Sequence, residues 1–314
     1  MHRFGIAFDI DGVLIRGGQA LPNAAKVIRQ LQERSVPHIF LTNGGGCREE
    51  KKTKNLSQIL QVPLNTDQMI LSHTPMRDLA KTFGESKVLV MGAYEVLDVA
   101  KHYGFKKVVS VKDIAHQSPT QYPFLPWEQK PSPFAEEPIE AIVILHDPIH
   151  WAQDLQIAVD VLVGGDPLGS GNAHGKQTPL FVSNDDFTFS GAYPVPRFAQ
   201  GAFTRCLQLL YEQHTGSPLQ VQRFGKPHAV TYQFAQDVMQ RQATEPIERF
   251  YGIGDNPFSD IQGANNAGDQ WKSVLVRTGI FDGAANHTEH PADVVVESVD
   301  DAVRWILAQE DCVL

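Results

Sequence analysis

Phe4-Gly5-Ile6-Ala7-Phe8-Asp9-Ile10-Asp11-Gly12-Val13 is the stretch against which the rest of the chain is read. Its apolar run predicts a short strand buried on both faces, as in parallel sheets. Residues two apart in an extended segment share a side, so Asp9 and Asp11 are expected in one pocket past the strand's carboxyl end. Open α/β sheets place their ligands there. Two carboxylates so close require a shared proton or an intervening cation. Gly12 allows the sharp turn that follows. Taken alone, the same residues would serve equally well as a solvated Asp-Gly turn.

The chain has 314 residues, enough for two domains. It is 42% hydrophobic and 20% charged, the balance of a globular protein, with no apolar run near the roughly 20 residues of a membrane span. A net charge of −9 argues against nucleic acid as a partner, while leaving room for a local cationic pocket. Cys47, Cys206 and Cys312 lack paired spacing, which predicts neither a disulfide framework nor a zinc module. An intracellular location is expected, cytoplasmic or mitochondrial, with no presequence visible and no membrane partner. Cys312 is third from the end, so the prenylation pattern, which needs it fourth, fails.

Downstream, Pro22 precedes a helical stripe of Ala24, Val27, Ile28 and Leu31, and His38–Leu41 returns to strand character. This βαβ unit runs into Thr42-Asn43-Gly44-Gly45-Gly46. Glu50 and Lys54 have the spacing of a helix pair. Further strands are expected at Val88–Met91, Val108–Val111, Ala141–Leu145 and Leu180–Val182. Ser118–Pro138, with six prolines, and the Gly-rich 164–175 are expected to be irregular excursions. After Lys226-Pro227 comes a helix, then strands at Phe250–Ile253, Val274–Val276 and Val294–Val296, then a closing helix over Ala302–Leu307. The expected architecture is α/β: a Rossmann-like parallel-sheet core from residues 1–72 and 224–314, with an α/β cap inserted at 73–223.

Four polar clusters fall in order at element ends: Asp9/Asp11, Thr42/Asn43, Lys226 and Asp255/Asp260. Singly each is ordinary, as a turn, a surface lysine or a helix cap. If the strands are parallel neighbours, carboxylates, a hydroxyl, an amide and an ammonium converge on one rim, a set suited to Mg2+ and a phosphoryl group. A carboxylate can accept the phosphoryl group while a second moves protons to and from oxygen. Three other features are weighed and rejected. Gly169–Gln177 has Ser170 where a phosphate-binding loop needs its first Gly, and Gln177 where it needs the terminal Ser/Thr. His146 and His150 have zinc-helix spacing, but Asp147-Pro148 reads better as a helix start. Cys47 has no local histidine partner.

Phe8–Val13, Leu41–Gly45, Gly225-Lys226-Pro227 and Gly254–Asp260 together resemble the four ordered motifs of the haloacid dehalogenase-like phosphatases. The large insert between the second and third motifs is similar to that of class IIA members with a C2-type cap. Ser72-His73-Thr74-Pro75, Arg197–Phe203 and the triple glycine resemble the cat-eye-syndrome-critical-region branch. The resemblance implies that Asp9 is the nucleophile and Asp11 the general acid/base. Thr42 and Lys226 would bind phosphate, with Asn43 shaping the same loop. Magnesium would be held by Asp9, the Asp11 backbone carbonyl and Asp255, with Asp260 in support. Asn184 and Asp185, in the loop that faces the active site of related caps, would either select the substrate or form a turn. The implied activity is hydrolysis of a small phosphorylated metabolite through an aspartyl phosphate. A mutase-type phosphotransferase and a low-turnover scaffold are the alternatives. Substrate identity and oligomeric state stay open.

Overall fold

Two parallel sheets organise the computed structural model, which describes residues 2–131, 133–164, 169, 176–189, 193 and 195–311. In chain order the strands are β1 (Phe4–Phe8), the small ribbon β2 (Ile15–Arg16) and β3 (Gln19–Ala20), β4 (His38–Leu41) and β5 (Met69–Ile70). Then come β6 (Lys87–Met91), β7 (Lys107–Val109), β8 (Ala141–Ile144), β9 (Leu180–Val182), the ribbon β10 (Thr188–Phe189) and β11 (Arg197–Phe198), and β12 (Gln222–Arg223). The chain ends with β13 (Arg249–Gly254), β14 (Trp271–Val276) and β15 (Val294–Val296).

The larger sheet has the order β15-β14-β13-β1-β4-β5, and the smaller β12-β9-β8-β6-β7. All neighbours in both are parallel. The first sheet grows from β1 in one direction through β4 and β5, and in the other through β13 to β15. Its topological switch point therefore lies between β1 and β13, where ligands of such sheets bind.

β1 is buried throughout, as its apolar run requires. Ile6 and Phe8 pack on one face with the helices Ala24–Glu33 and Val299–Gln309, while Ala7 faces the helix Ala229–Gln240 on the other. The second sheet is likewise covered on both faces. The helix Glu49–Leu60 of the first unit is clipped to the helix Val96–His102 of the second. Arg48 Nη2 donates to Asp98 Oδ1 at 2.7 Å, Lys51 pairs with Glu95, and the Tyr103 hydroxyl donates to Glu49 Oε1 at 2.6 Å. Glu50 approaches His102 at 3.8 Å; no Glu50–Lys54 pair is recorded.

Local chemistry shifts two elements from the expected positions. The strand expected at Val108–Val111 ends at Val109, because Ser110 and Asp113 form a reciprocal capping box that starts the helix Val111–Gln117. The helix expected to begin at Pro148 begins at Trp151, with the His150 N–H donating to Asp154 Oδ2 at 3.0 Å. The described part of the Pro-rich excursion holds only the short 3₁₀ turn Pro119–Gln121. Apart from Gly164 and Gly169, the Gly-rich excursion 164–175 lies outside the described residues, as does most of the loop-like 169–177.

Candidate active site

Asp9 follows the last residue of β1, and its N–H donates to the Ile253 carbonyl of β13 at 2.9 Å, placing it at the switch point. Lys226 is buried on the turn between β12 and the helix Ala229–Gln240. Its Nζ donates to Asp9 Oδ1 at 2.7 Å and to Asp260 Oδ1 at 2.6 Å. The other Asp260 oxygen accepts from the N–H groups of Asp255 (3.2 Å) and Asn256 (3.0 Å), fixing the loop after β13. Asp255 Oδ2 accepts from the Ile280 N–H at 2.6 Å. Gly12, at φ +89°, is required here: a β-carbon on it would stand 2.4 Å from Asp255 Oδ2.

Asp9, Asp255 and Asp260 each offer a carboxylate oxygen, and these lie within 4.8 Å of one another. One ammonium does not neutralise three carboxylates. Burial raises the Asp9 carboxyl well above its ordinary value; Lys226 opposes this, while Asp260 and Asp255 add to it. Burial and then Asp260 push Asp255 up to about 7. For Lys226, Asp260 and Asp9 overcome the opposing effect of burial and hold the ammonium above its usual range. A buried, oxygen-only set with excess negative charge fits a hard divalent cation.

Asn43 ties the site's loops together. Its Oδ1 accepts from the Lys226 N–H at 2.7 Å, and its Nδ2 donates to the Lys226 carbonyl at 2.9 Å and to Asp186 Oδ2 at 3.0 Å. Thr42, buried at the end of β4, accepts the Gly44 N–H on Oγ1 at 3.0 Å.

Asp11 departs from the expected shared pocket. Its side chain is 65% exposed, and Lys52 Nζ is 3.9 Å from Oδ2. Strand geometry ends at Phe8, and a turn closed by the Gly12 N–H on the Ile15 carbonyl (2.7 Å) rotates the second carboxylate outward. The carboxylates beside Asp9 are instead Asp255 and Asp260.

In the loop after β9, Asn184 forms the turn that was one of its two expected uses. Asn184 accepts the Asp186 N–H within its own turn at 2.9 Å, and Asp185 is held by Arg223 at 3.2 Å and His228 at 3.4 Å. Asp186 is the residue that reaches Asn43. It stands in an ordinary Asn-Asp-Asp run, where spacing gives no sign of which carboxylate faces the site. Burial raises its carboxyl to about 6, outweighing the Asn43 hydrogen bond and the Lys226 charge. A raised carboxyl contributes stability that is present below the unfolded value of about 3.9 and lost as pH rises through the folded one. Asp186→Asn should therefore flatten the decline of the thermal midpoint between about pH 4 and 6 by roughly 3 °C. Calorimetric scans across that window check it; an unchanged slope would contradict the assignment.

Among the described residues, neither acidic or histidine cluster of metal-binding spacing includes His146 or His150. Burial pushes the Cys47 thiol above its ordinary value, which disfavours the nucleophilic thiolate.

A parallel-sheet enzyme core with a carboxylate–lysine centre at its switch point, beneath an inserted α/β unit, is the class that fold and site define. Residues 6–106 match the description haloacid dehalogenase-like hydrolase, and residues 223–302 a second, HAD-hydrolase-like. The chain is 32% identical to a mitochondrial hydrolase of Saccharomyces cerevisiae, over 96% of this chain and 94% of that one. It is 38% identical to a Schizosaccharomyces pombe cardiolipin synthase (CMP-forming)/mitochondrial hydrolase fusion protein, over 96% of this chain. It spans about half of that relative, 53%. The solved p-nitrophenyl phosphatase of Archaeoglobus fulgidus superposes with a TM-score of 0.68 at 17% identity, covering 96% of this chain and 98% of that one, a likeness of fold. The chain belongs to the haloacid dehalogenase-like hydrolases.

Proposed function

We propose that the protein is a magnesium-dependent phosphomonoesterase that acts on a small phosphorylated metabolite through an aspartyl phosphate on Asp9. The observation that carries this reading is the Lys226 ammonium bridging Asp9 and Asp260 beside Asp255. The name of the Archaeoglobus fulgidus structure supports it, and the names of both yeast relatives favour a mitochondrial location.

In this mechanism an Asp9 oxygen attacks phosphorus and the ester oxygen leaves, taking a proton from Asp11. A water molecule then attacks the aspartyl phosphate, giving its proton to Asp11 and releasing inorganic phosphate and free Asp9. Asp11, exposed at the rim, would meet the leaving oxygen from the solvent side. Lys226, held by Asp260, and the Thr42 hydroxyl bind the equatorial phosphoryl oxygens; loss of one such donor typically costs about 10²–10³ in rate. Asp9, Asp255 and the Asp11 carbonyl would hold Mg2+, which when bound supplies charge neutralisation for the incoming dianion and polarises the phosphoryl oxygens.

Chelator treatment should lower turnover of p-nitrophenyl phosphate at least about a hundredfold, with recovery on adding Mg2+. Phosphate release identifies a hydrolase; recovery of the phosphoryl group on a second sugar would mark a mutase, and absence of turnover across phosphometabolites with Mg2+ a scaffold. Asp11→Asn should cut kcat by about 10²–10⁴. Full activity in that variant would remove Asp11 from the acid/base role.

A further inference from the structure

Lys52 has no place in the mechanism above, yet it stands at the rim of the site. It lies one turn into the helix Glu49–Leu60, in the mixed-charge stretch Arg48-Glu49-Glu50-Lys51-Lys52. Its two cationic neighbours are committed to the second unit, Arg48 to Asp98 and Lys51 to Glu95. Lys52 turns the other way, toward Asp11, with Nζ 3.9 Å from Oδ2 and its side chain 23% exposed. That separation is an ion pair without hydrogen-bond contact. The ammonium also flanks the Thr42 loop: a β-carbon on Gly44 would lie 3.3 Å from Thr42 Oγ1 and 3.9 Å from Lys52 Nζ.

Among the described residues, two other cations near the site have carboxylate partners of their own. Lys226 already bridges Asp9 and Asp260, leaving one N–H for phosphate, and Arg223 is turned to Asp185. Lys52 is therefore the rim cation whose recorded ion partner is an exposed carboxylate beyond hydrogen-bond reach. Such a group is free to exchange its partner for an incoming anion. Its position beside Asp11 places it on the leaving-group side, because Asp11 is the group that must meet the ester oxygen.

We propose that Lys52 contacts the substrate and selects leaving groups that carry a second anion, a carboxylate or a further phosphate, close to the ester oxygen. This rests on the phosphomonoesterase reading and assigns its substrate class. A neutral leaving group would leave Lys52 facing only Asp11. An anionic one would form a charge-assisted hydrogen bond with Nζ and relieve its own repulsion from Asp11.

The test uses two probes that differ by one carboxylate, O-phospho-L-serine and O-phosphoethanolamine. Their dissociation constants are measured by calorimetry with Mg2+ on the full chain carrying Asp9→Asn, so that neither is consumed. The expected result is at least about tenfold tighter binding of phosphoserine, falling to a ratio near one when Lys52→Met is added and largely kept with Lys52→Arg. Equal binding of the two probes before the Lys52 change overturns the proposal. So does an equal loss for both in Lys52→Met, which would place Lys52 on the transferring phosphoryl group. Retained turnover in Asp9→Asn would instead refute the chemistry assigned to Asp9, an outcome read separately from the binding ratio.

Discussion

Asp9→Asn is expected to lower kcat for p-nitrophenyl phosphate by at least about 10⁴-fold, the scale seen when a covalent nucleophile is removed. The thermal midpoint should stay within about 2 °C of the parent. Both halves follow from the same geometry. The Asp9 carboxylate is buried beside Asp255 and Asp260, and its charged form is disfavoured by burial and by both neighbours. An amide of the same shape removes that repulsion, and Lys226 keeps its 2.6 Å bond to Asp260. Activity and stability should thus separate. Matched kinetics and calorimetry on one preparation would show it, and a variant keeping more than a few per cent of turnover would end the nucleophile assignment.

Lys226→Met should be the most destabilising single change in the site. It leaves three buried carboxylates without their ammonium, and removing one partner of a buried pair costs about 3–5 kcal/mol. At roughly 2 °C per kcal/mol for a chain of this size, the midpoint at pH 8 in chelator should fall by about 8 °C. Turnover should fall by about 10³-fold, since the same ammonium serves the phosphoryl oxygens. A second change, Asp260→Asn, removes one of the stranded charges. The double variant should recover part of the stability and none of the activity. If Lys226→Met melts with the parent protein, the ammonium is not neutralising the cluster, and the electrostatic account of the site fails.

The two changes probe parts of the site that were legible in different degrees. Asp9, Thr42, Lys226 and Asp255 could be singled out because each is a polar residue at the end of an apolar run or the start of a helix. That pattern follows from parallel-sheet geometry, which buries strands and exposes their carboxyl ends. The strands at 38–41, 180–182 and 294–296 were readable for the same reason, as was the end of β14, which begins earlier, at Trp271. Misplaced boundaries arose where short-range polar bonds cut into apolar runs, as at Ser110 and Asp113. The orientation of Asp11 was hidden because strand alternation ends at Phe8, and the next side chains follow the turn.

The same limit applies to Asp186 and Lys52. One follows a second aspartate and the other a second lysine, so residue type alone does not tell the two members of either pair apart. Neighbours from distant elements sort them: Arg223 and His228 take Asp185, leaving Asp186 to Asn43, while Asp98 and Glu95 take Arg48 and Lys51, leaving Lys52 to Asp11.

Sequence by itself determined the α/β class, the order of the polar clusters and the chemistry that such a set implies, because hydrophobic run length and turn residues act locally. Only the tertiary structure decided which carboxylates share charge with Asp9, and that Asp11 stands apart from them. Strand order β13-β1-β4 brings residues more than 200 positions apart into contact, and burial there raises the Asp9 carboxyl above its ordinary value.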